Sequence, residues 1–119
     1  MTQDQVSADV NETTQNVQKL YDLVLQVQPI PLYKFFINPN SFAESVENLF
    51  HLSFLVRDGK ISIEEDESGD LIVEACEPPT EEDFQNGLQK IQSVFHFDKH
   101  LFDKAIKKYN ITNSVIPRS

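Results

Sequence analysis

Apolar residues recur at helical spacing from about Thr13 to Gln28. Val17, Leu20, Tyr21, Val24 and Val27 share one side, and Gln15, Gln18, Lys19, Asp22 and Gln26 fill the other. This predicts an amphipathic helix capped by Asn11 or Thr13 and ended by Pro29, with Pro31 blocking a restart. Residues 1–12 read as a disordered lead, or as the place where a longer protein was cut. The aromatic and β-branched run Leu32–Ile37 (LYKFFI) is too short for a typical helix and predicts a strand or extended connection. Asn38-Pro39-Asn40 is a turn leading into the next element.

The stretch from Asn40 to Gly59 is the most apolar long segment of the chain. Ser41 with Glu44 forms an S-x-x-E capping box, Gly59 offers a left-handed stop, and Arg57 places a cation in the last turn, where the helix dipole favours it. At about 100° per residue, Val56, Leu49, Phe42, Ser53, Val46, Phe50, Ala43 and Phe54 fall on one continuous arc. Glu44, Glu47, Asn48 and His51 lie opposite. On this reading Phe42, Val46, Leu49 and Phe50 are core residues. Leu52 and Leu55 fall on the flank and far side, so the last turn is apolar nearly all round. Such a turn is covered either by the chain's own later helices or by a partner.

After Gly59 the period changes from helical to two. Ile61 and Ile63 alternate with Ser62 and Glu64, and Leu71, Val73 and Ala75 alternate with Ile72, Glu74 and Cys76. The acidic turn between them, with Gly69 able to take a positive φ, makes a β-hairpin or wing. Pro78-Pro79 closes it. Thr80 with Asp83 then starts a helix carrying the narrow stripe Phe84, Leu88, Ile91 and Phe95, with Gly87 inside it. Asp98 caps a last helix with the stripe Leu101, Phe102, Ala105, Ile106 and Tyr109, and residues 111–119 read as an extended tail or edge strand. Helices with one hairpin predict a small α+β domain of winged-helix type over residues 13–116, with 117–119 as a tail.

Composition adds three constraints. At 119 residues, with 39% hydrophobic residues, nine Phe and no Trp, the chain suits one domain with a single modest core. The lone Cys76 excludes an internal disulfide and fits a reducing compartment. No apolar run approaches the ~18 residues of a membrane span. The net charge is −9, and it is unevenly spread: every charged residue between Glu64 and Asp83 is an acid, whereas the last helix carries Lys99, Lys104, Lys107 and Lys108.

Candidate chemistry is sparse. His96 and His100 have helical i, i+4 spacing, but Asp98 between them reads as a helix cap, so the pair straddles a junction and is a poor metal site. Cys76 sits at the end of an acidic hairpin, where carboxylates raise a thiol's pKa and disfavour a nucleophilic role. The acidic loop lacks the calcium-loop pattern: counted from Glu64, Ala75 stands where the bidentate Glu belongs, and strands flank it. No phosphate-binding glycine motif or nucleophile elbow is present. The sequence therefore predicts no enzyme and no cofactor. Duplex DNA binding demands cations on the recognition helix and wing, and here the wing is the most acidic part. Lys104, Lys107 and Lys108 are the residues a nucleic-acid-binding alternative would use. An acidic wing and an apolar helix end fit a protein surface better, with Leu52, Leu55, Phe102, Ile106 and Tyr109 as candidate docking residues.

The run Ser41–Gly59 (SFAESVENLFHLSFLVRDG), preceded by LYKFFINPN, resembles the signature of the C-terminal domain of non-SMC element four, the kleisin subunit of the SMC-five/six complex. The residues carrying the resemblance are Phe42, Val46, Glu47, Asn48, Leu49 and Phe50, then Ser53, Phe54, Arg57, Asp58 and Gly59. Metazoan relatives described as inhibitors of differentiation share the pattern, which suggests a transcription-repressing adaptor as a further alternative. The resemblance implies a winged helix that docks on the ATPase head of the SMC-five subunit and helps bridge the heads and close a ring around DNA. It also implies other non-SMC subunits as partners, contact with DNA mainly through the whole complex, and a nuclear, chromatin-associated role in chromosome maintenance and DNA repair.

Overall fold

The computed structural model describes the backbone of residues 3–75 and 80–116, and side chains from residue 14 onward within those ranges except at 83. The elements in chain order are α1 (Gln3–Val27), β1 (Ile30–Pro31), α2 (Leu32–Phe36), α3 (Phe42–Arg57), β2 (Ile61–Glu65), β3 (Leu71–Ala75), α4 (Glu81–Val94) and α5 (Lys99–Tyr109). The antiparallel sheet has the order β1-β3-β2, with Ile30 opposite Val73 and Ile63 opposite Val73 from the other side. Helix, short strand, two helices and a hairpin whose far strand returns between the other two make a winged helix. Two further helices, α4 and α5, follow it.

Two expectations are corrected. Residues 3–12, expected to be disordered, continue α1. No Pro or Gly interrupts the chain before Pro29, so nothing local stops the helix near Thr13. The Leu32–Ile37 segment is helical over Leu32–Phe36, and the strand is the two residues before it. Leu32, Phe35 and Phe36 stand at i, i+3 and i+4, so one helical turn buries all three completely. That burial outweighs the β-propensity of the aromatics. Tail residues 111–116 form no strand, although Ile111 is buried and Val115 and Ile116 pack on the core.

The remaining starts and stops follow the local sequence. Ser41 caps α3 by accepting from the Glu44 N–H at 3.1 Å, and Asp98 caps α5 by accepting from the Leu101 N–H at 2.8 Å. Gly59, at φ 71°, ends α3 in a Schellman turn: the Lys60 N–H donates to the Leu55 carbonyl and the Gly59 N–H to that of Val56. Asn110, at φ 52°, repeats the motif after α5, with the Ile111 N–H donating to the Ile106 carbonyl. Gly69, at φ 90°, turns the wing as expected. The core runs through Leu20 and Val24 of α1, Leu32, Phe35 and Phe36 of α2, Leu49, Leu52, Leu55 and Val56 of α3, Ile61 and Ile63 of β2, and Val73 of β3. Ile91, Val94 and Phe102 close it from α4 and α5. Each large apolar side chain fully buried there contributes about 1.5–3 kcal/mol.

Candidate functional site

The signature residues first build the turn between α2 and α3. Asn38 is buried, and its backbone N–H donates to Ser45 Oγ at 2.8 Å. Its side-chain amide donates to Glu44 Oε2 at 2.7 Å, while its Oδ1 accepts from the Asn40 N–H at 2.9 Å. Asn48 Nδ2 donates to the Phe36 carbonyl at 3.0 Å and so satisfies the exposed end of α2. Asn38, Glu44, Ser45 and Asn48 therefore fix the angle between the two helices. Ser45, fully buried, was not singled out from the sequence. Its partner lies seven residues away across the turn, and no short-range pattern marks such a contact.

The fold divides the apolar arc of α3 in two. The inward half contains Ser45, Leu49, Leu52, Ser53, Leu55 and Val56. Leu52 is 0% exposed, Leu55 1% and Phe102, from α5, 2%. These three candidate docking residues are core in the folded domain and present no surface to a partner. The other half faces outward: Val46 is 40% exposed and Phe50 47%, which corrects their assignment to the core. The wheel measured the width of the arc correctly but not which half the sheet, α1 and α4 would cover. Phe42 and Leu49 pack inward as expected.

Ala43, Val46, Phe50, Phe54 and Arg57 thus form one outward stripe along α3, with Phe54 half-buried. The Phe50 and Phe54 rings meet edge to face at 5.0 Å, and the Arg57 guanidinium lies over the Phe54 ring at 5.0 Å. Arg57 also donates to Ser53 Oγ at 3.4 Å. Glu47 and Asp58 are exposed beside the stripe and at its end.

The other candidates gather around α5. Phe97, Phe42, Phe36, Tyr33 and Phe102 form a continuous aromatic cluster, with the Phe42 and Phe97 rings stacked at 5.5 Å and Tyr33 stacked on Tyr109 at 6.4 Å. Ile106 and Tyr109 are half-buried against the core. At the end of the wing, Asp70 Oδ1 accepts from Lys108 Nζ and from Tyr109 Oη, each at 2.8 Å. Those bonds hold the Asp70 carboxyl below the usual carboxylate range, the Lys108 bond being the larger cause. Burial, then the bond to Asp70, pushes the Tyr109 phenol up. Lys108 is thereby committed to the fold. Lys104 and Lys107 are exposed, and Lys99 forms an exposed pair with Asp103 at 3.7 Å.

No group of three or more His, Cys, Asp or Glu side chains placed for a metal ion occurs among the described residues. Cys76 lies outside them. His96 follows the end of α4 and His100 opens α5, so the helical spacing between them is not realised. A groove of about 460 Å³ runs between α1 and α3, floored by Leu20, Leu23 and Ile116 and walled by Asp22, Glu47 and His51.

A helix-turn-helix backed by a β1-β3-β2 sheet and its hairpin wing defines a winged-helix domain. In it, α3 holds the recognition position and shows an apolar outer face. The chain belongs to the Nse4 C-terminal family, which matches residues 29–116. It is 40% identical over 113 residues to non-structural maintenance of chromosome element 4 of Schizosaccharomyces pombe, covering 94% of this chain and 38% of that protein. Its identity to the protein of the same name from Saccharomyces cerevisiae is 34% over 127 residues, covering 95% of this chain and 32% of that one. The human non-structural maintenance of chromosomes element 4 homolog A is 30% identical over 93 residues, covering 76% of this chain and 24% of that protein. The chain therefore spans well under half the length of these relatives.

Proposed function

We propose that this domain is a non-enzymatic kleisin module that docks on the ATPase head of an SMC subunit, the SMC-five head, within a complex that maintains chromosomes. The reading fits the names of the relatives, which are elements of chromosome maintenance. The observation that carries it is the outer face of α3. In a winged helix that reads duplex DNA, this face and the wing supply the cations that neutralise phosphates. Here the face offers Val46, Phe50 and Phe54 with a single Arg57, and the wing offers Glu64, Glu65, Asp66, Glu67 and Asp70. Both surfaces suit a protein and repel a polyanion. The module supplies affinity and position, and the partner's ATP cycle supplies the work. By helping to bridge the heads it closes a ring, and DNA is held by the whole complex in the nucleus rather than by this domain. The test is a binding measurement between the 119-residue chain and the isolated SMC-five head. A one-to-one complex is expected, and absence of binding by the folded chain overturns the proposal.

A further inference from the structure

We infer that the outward stripe of α3, formed by Ala43, Val46, Phe50 and Phe54 and closed by Arg57, is the surface that seats the SMC head, against an apolar patch rimmed with basic side chains. The inference rests on the head-docking reading above and adds the face and its chemistry.

A lone exposed Phe on a protein surface needs no explanation. This stripe is different in three respects. Val46, Phe50 and Phe54 repeat at four-residue intervals, so they form one strip rather than scattered spots. The strip is ordered before any partner arrives, because Phe54 is braced between the Phe50 ring and the Arg57 guanidinium, which Ser53 in turn accepts. Binding therefore freezes few rotamers, and the entropy lost there is small. Nor does the fold need it: the inner half of α3 builds the core, and the signature's polar residues hold the α2–α3 turn. The ring contacts of Phe50 are to Phe54 and His51 of the same helix, and Phe50 takes no part in the buried core.

Phe97 stacks on Phe42 at the N-terminal end of α3, and Phe95, two residues before it, is 46% exposed. Two of the four large apolar residues exposed among those described, Val46 and Phe50, thus belong to this strip, while Leu25 lies on α1 and Phe95 follows α4.

Charge selects the occupant. Glu47 flanks the strip, Asp58 follows its end, and the whole chain carries −9. A second copy of the chain would bring the same sign to the interface, and a nucleic acid would bring a larger negative charge. An apolar surface with Lys or Arg at its margin fits both the strip and its border. Aromatic residues in such a setting are the usual centres of binding energy.

The test uses the 119-residue chain and the SMC-five head. The double variant V46D/F50D is expected to weaken binding at least about tenfold. Its circular dichroism spectrum and melting point should stay close to those of the wild type, because neither side chain belongs to the buried core. The variant K104E/K107E should bind as the wild type does. If the wild type binds and V46D/F50D binds equally well, the face is wrong and the head-docking reading stands. If the wild type fails to bind, that reading falls and takes the face with it. A benzoylphenylalanine photocrosslinker at position 50, compared with one at position 25 on α1, removes any dependence on the folding of the double variant. Capture of the head from position 50 and not from 25 is expected. Capture from 25 alone, or capture of a second copy of the chain or of added duplex DNA in place of the head, overturns the inference.

Discussion

Ser45 is completely buried, yet it is polar because three backbone groups converge on it. Its hydroxyl accepts from the Asn38 N–H and lies 2.9 Å from the Ser41 carbonyl and 3.2 Å from that of Asn38. Ser45→Ala is expected to strand the buried Asn38 N–H and cost about 1–3 kcal/mol. A urea midpoint that falls with an unchanged m-value would register this. Asp70 acts at the surface instead. Its carboxyl is held below its unfolded pKa by Lys108 and Tyr109, so its contribution is complete above the ordinary carboxylate range and is lost as pH falls through the depressed value. The melting temperature is expected to drop in acid, and Asp70→Asn should flatten part of that limb while lowering the plateau at neutral pH. Residues whose roles are local were legible in the sequence. Ser41 and Asp98 as caps and Gly59 and Gly69 as turns each act within a few positions. Asn38, Ser45 and Asp70 were not, because their partners lie across a turn or, for Asp70, some 38 and 39 positions along the chain.

At the scale of elements, periodicity located α3, the hairpin, α4 and α5 but could not orient α3. The polar side of its wheel does not mark the outside, because Glu44, Asn48 and His51 are half-buried and only Glu47 is exposed. The elements packed on α3 decide that, and in the folded domain Leu52 and Leu55 are covered while Val46 and Phe50 are not. The two halves can be separated by stability. Leu55→Ala is expected to cost about 2–5 kcal/mol as a buried cavity forms, whereas Phe50→Ala should stay within about 1 kcal/mol, as surface changes do. Equal losses in chemical denaturation would contradict the assignment. Gly87 shows the opposite kind of surprise. It faces Val56 across the α3–α4 contact, but a Cβ there would meet Val56 Cγ1 at 3.5 Å, an ordinary contact distance. Gly87→Ala is therefore expected to raise stability by up to ~1 kcal/mol through helix propensity, read as an increase in the denaturation midpoint. The short helix α2 was missed because one turn carries too few residues for its period to show, and its burial comes entirely from neighbours distant in sequence.

For the whole molecule, the fold class and the family were legible, since a helix, a turn, a helix and a hairpin in that order allow few arrangements. The outward face of α3 was not. Composition placed the charge along the chain, and only the packed structure shows that Lys108 of the last helix pairs with the wing while Arg57 on the outer side of α3 lies over Phe54 and donates to Ser53. The outward apolar strip of α3 is what the core leaves over. Sequence reasoning pointed to Leu52, Leu55 and Phe102, which the folded core already covers.

The first helix bears on where this domain can be cut. The family match begins at residue 29, but Leu20 and Val24 lie in the core and α1 packs on both α3 and β3. The Gln28 side chain also accepts the Ala75 N–H at 2.8 Å, tying the end of α1 to the edge of the hairpin. The cooperative unit is thus larger than the stretch the family match covers. A fragment starting at residue 29 is expected to lose its sharp thermal transition, bind a hydrophobic dye and yield early to protease. A fragment that melts like the full chain would show α1 to be an appendage. The family match and the folding unit therefore have different edges, because residue 29 falls inside the hydrophobic core.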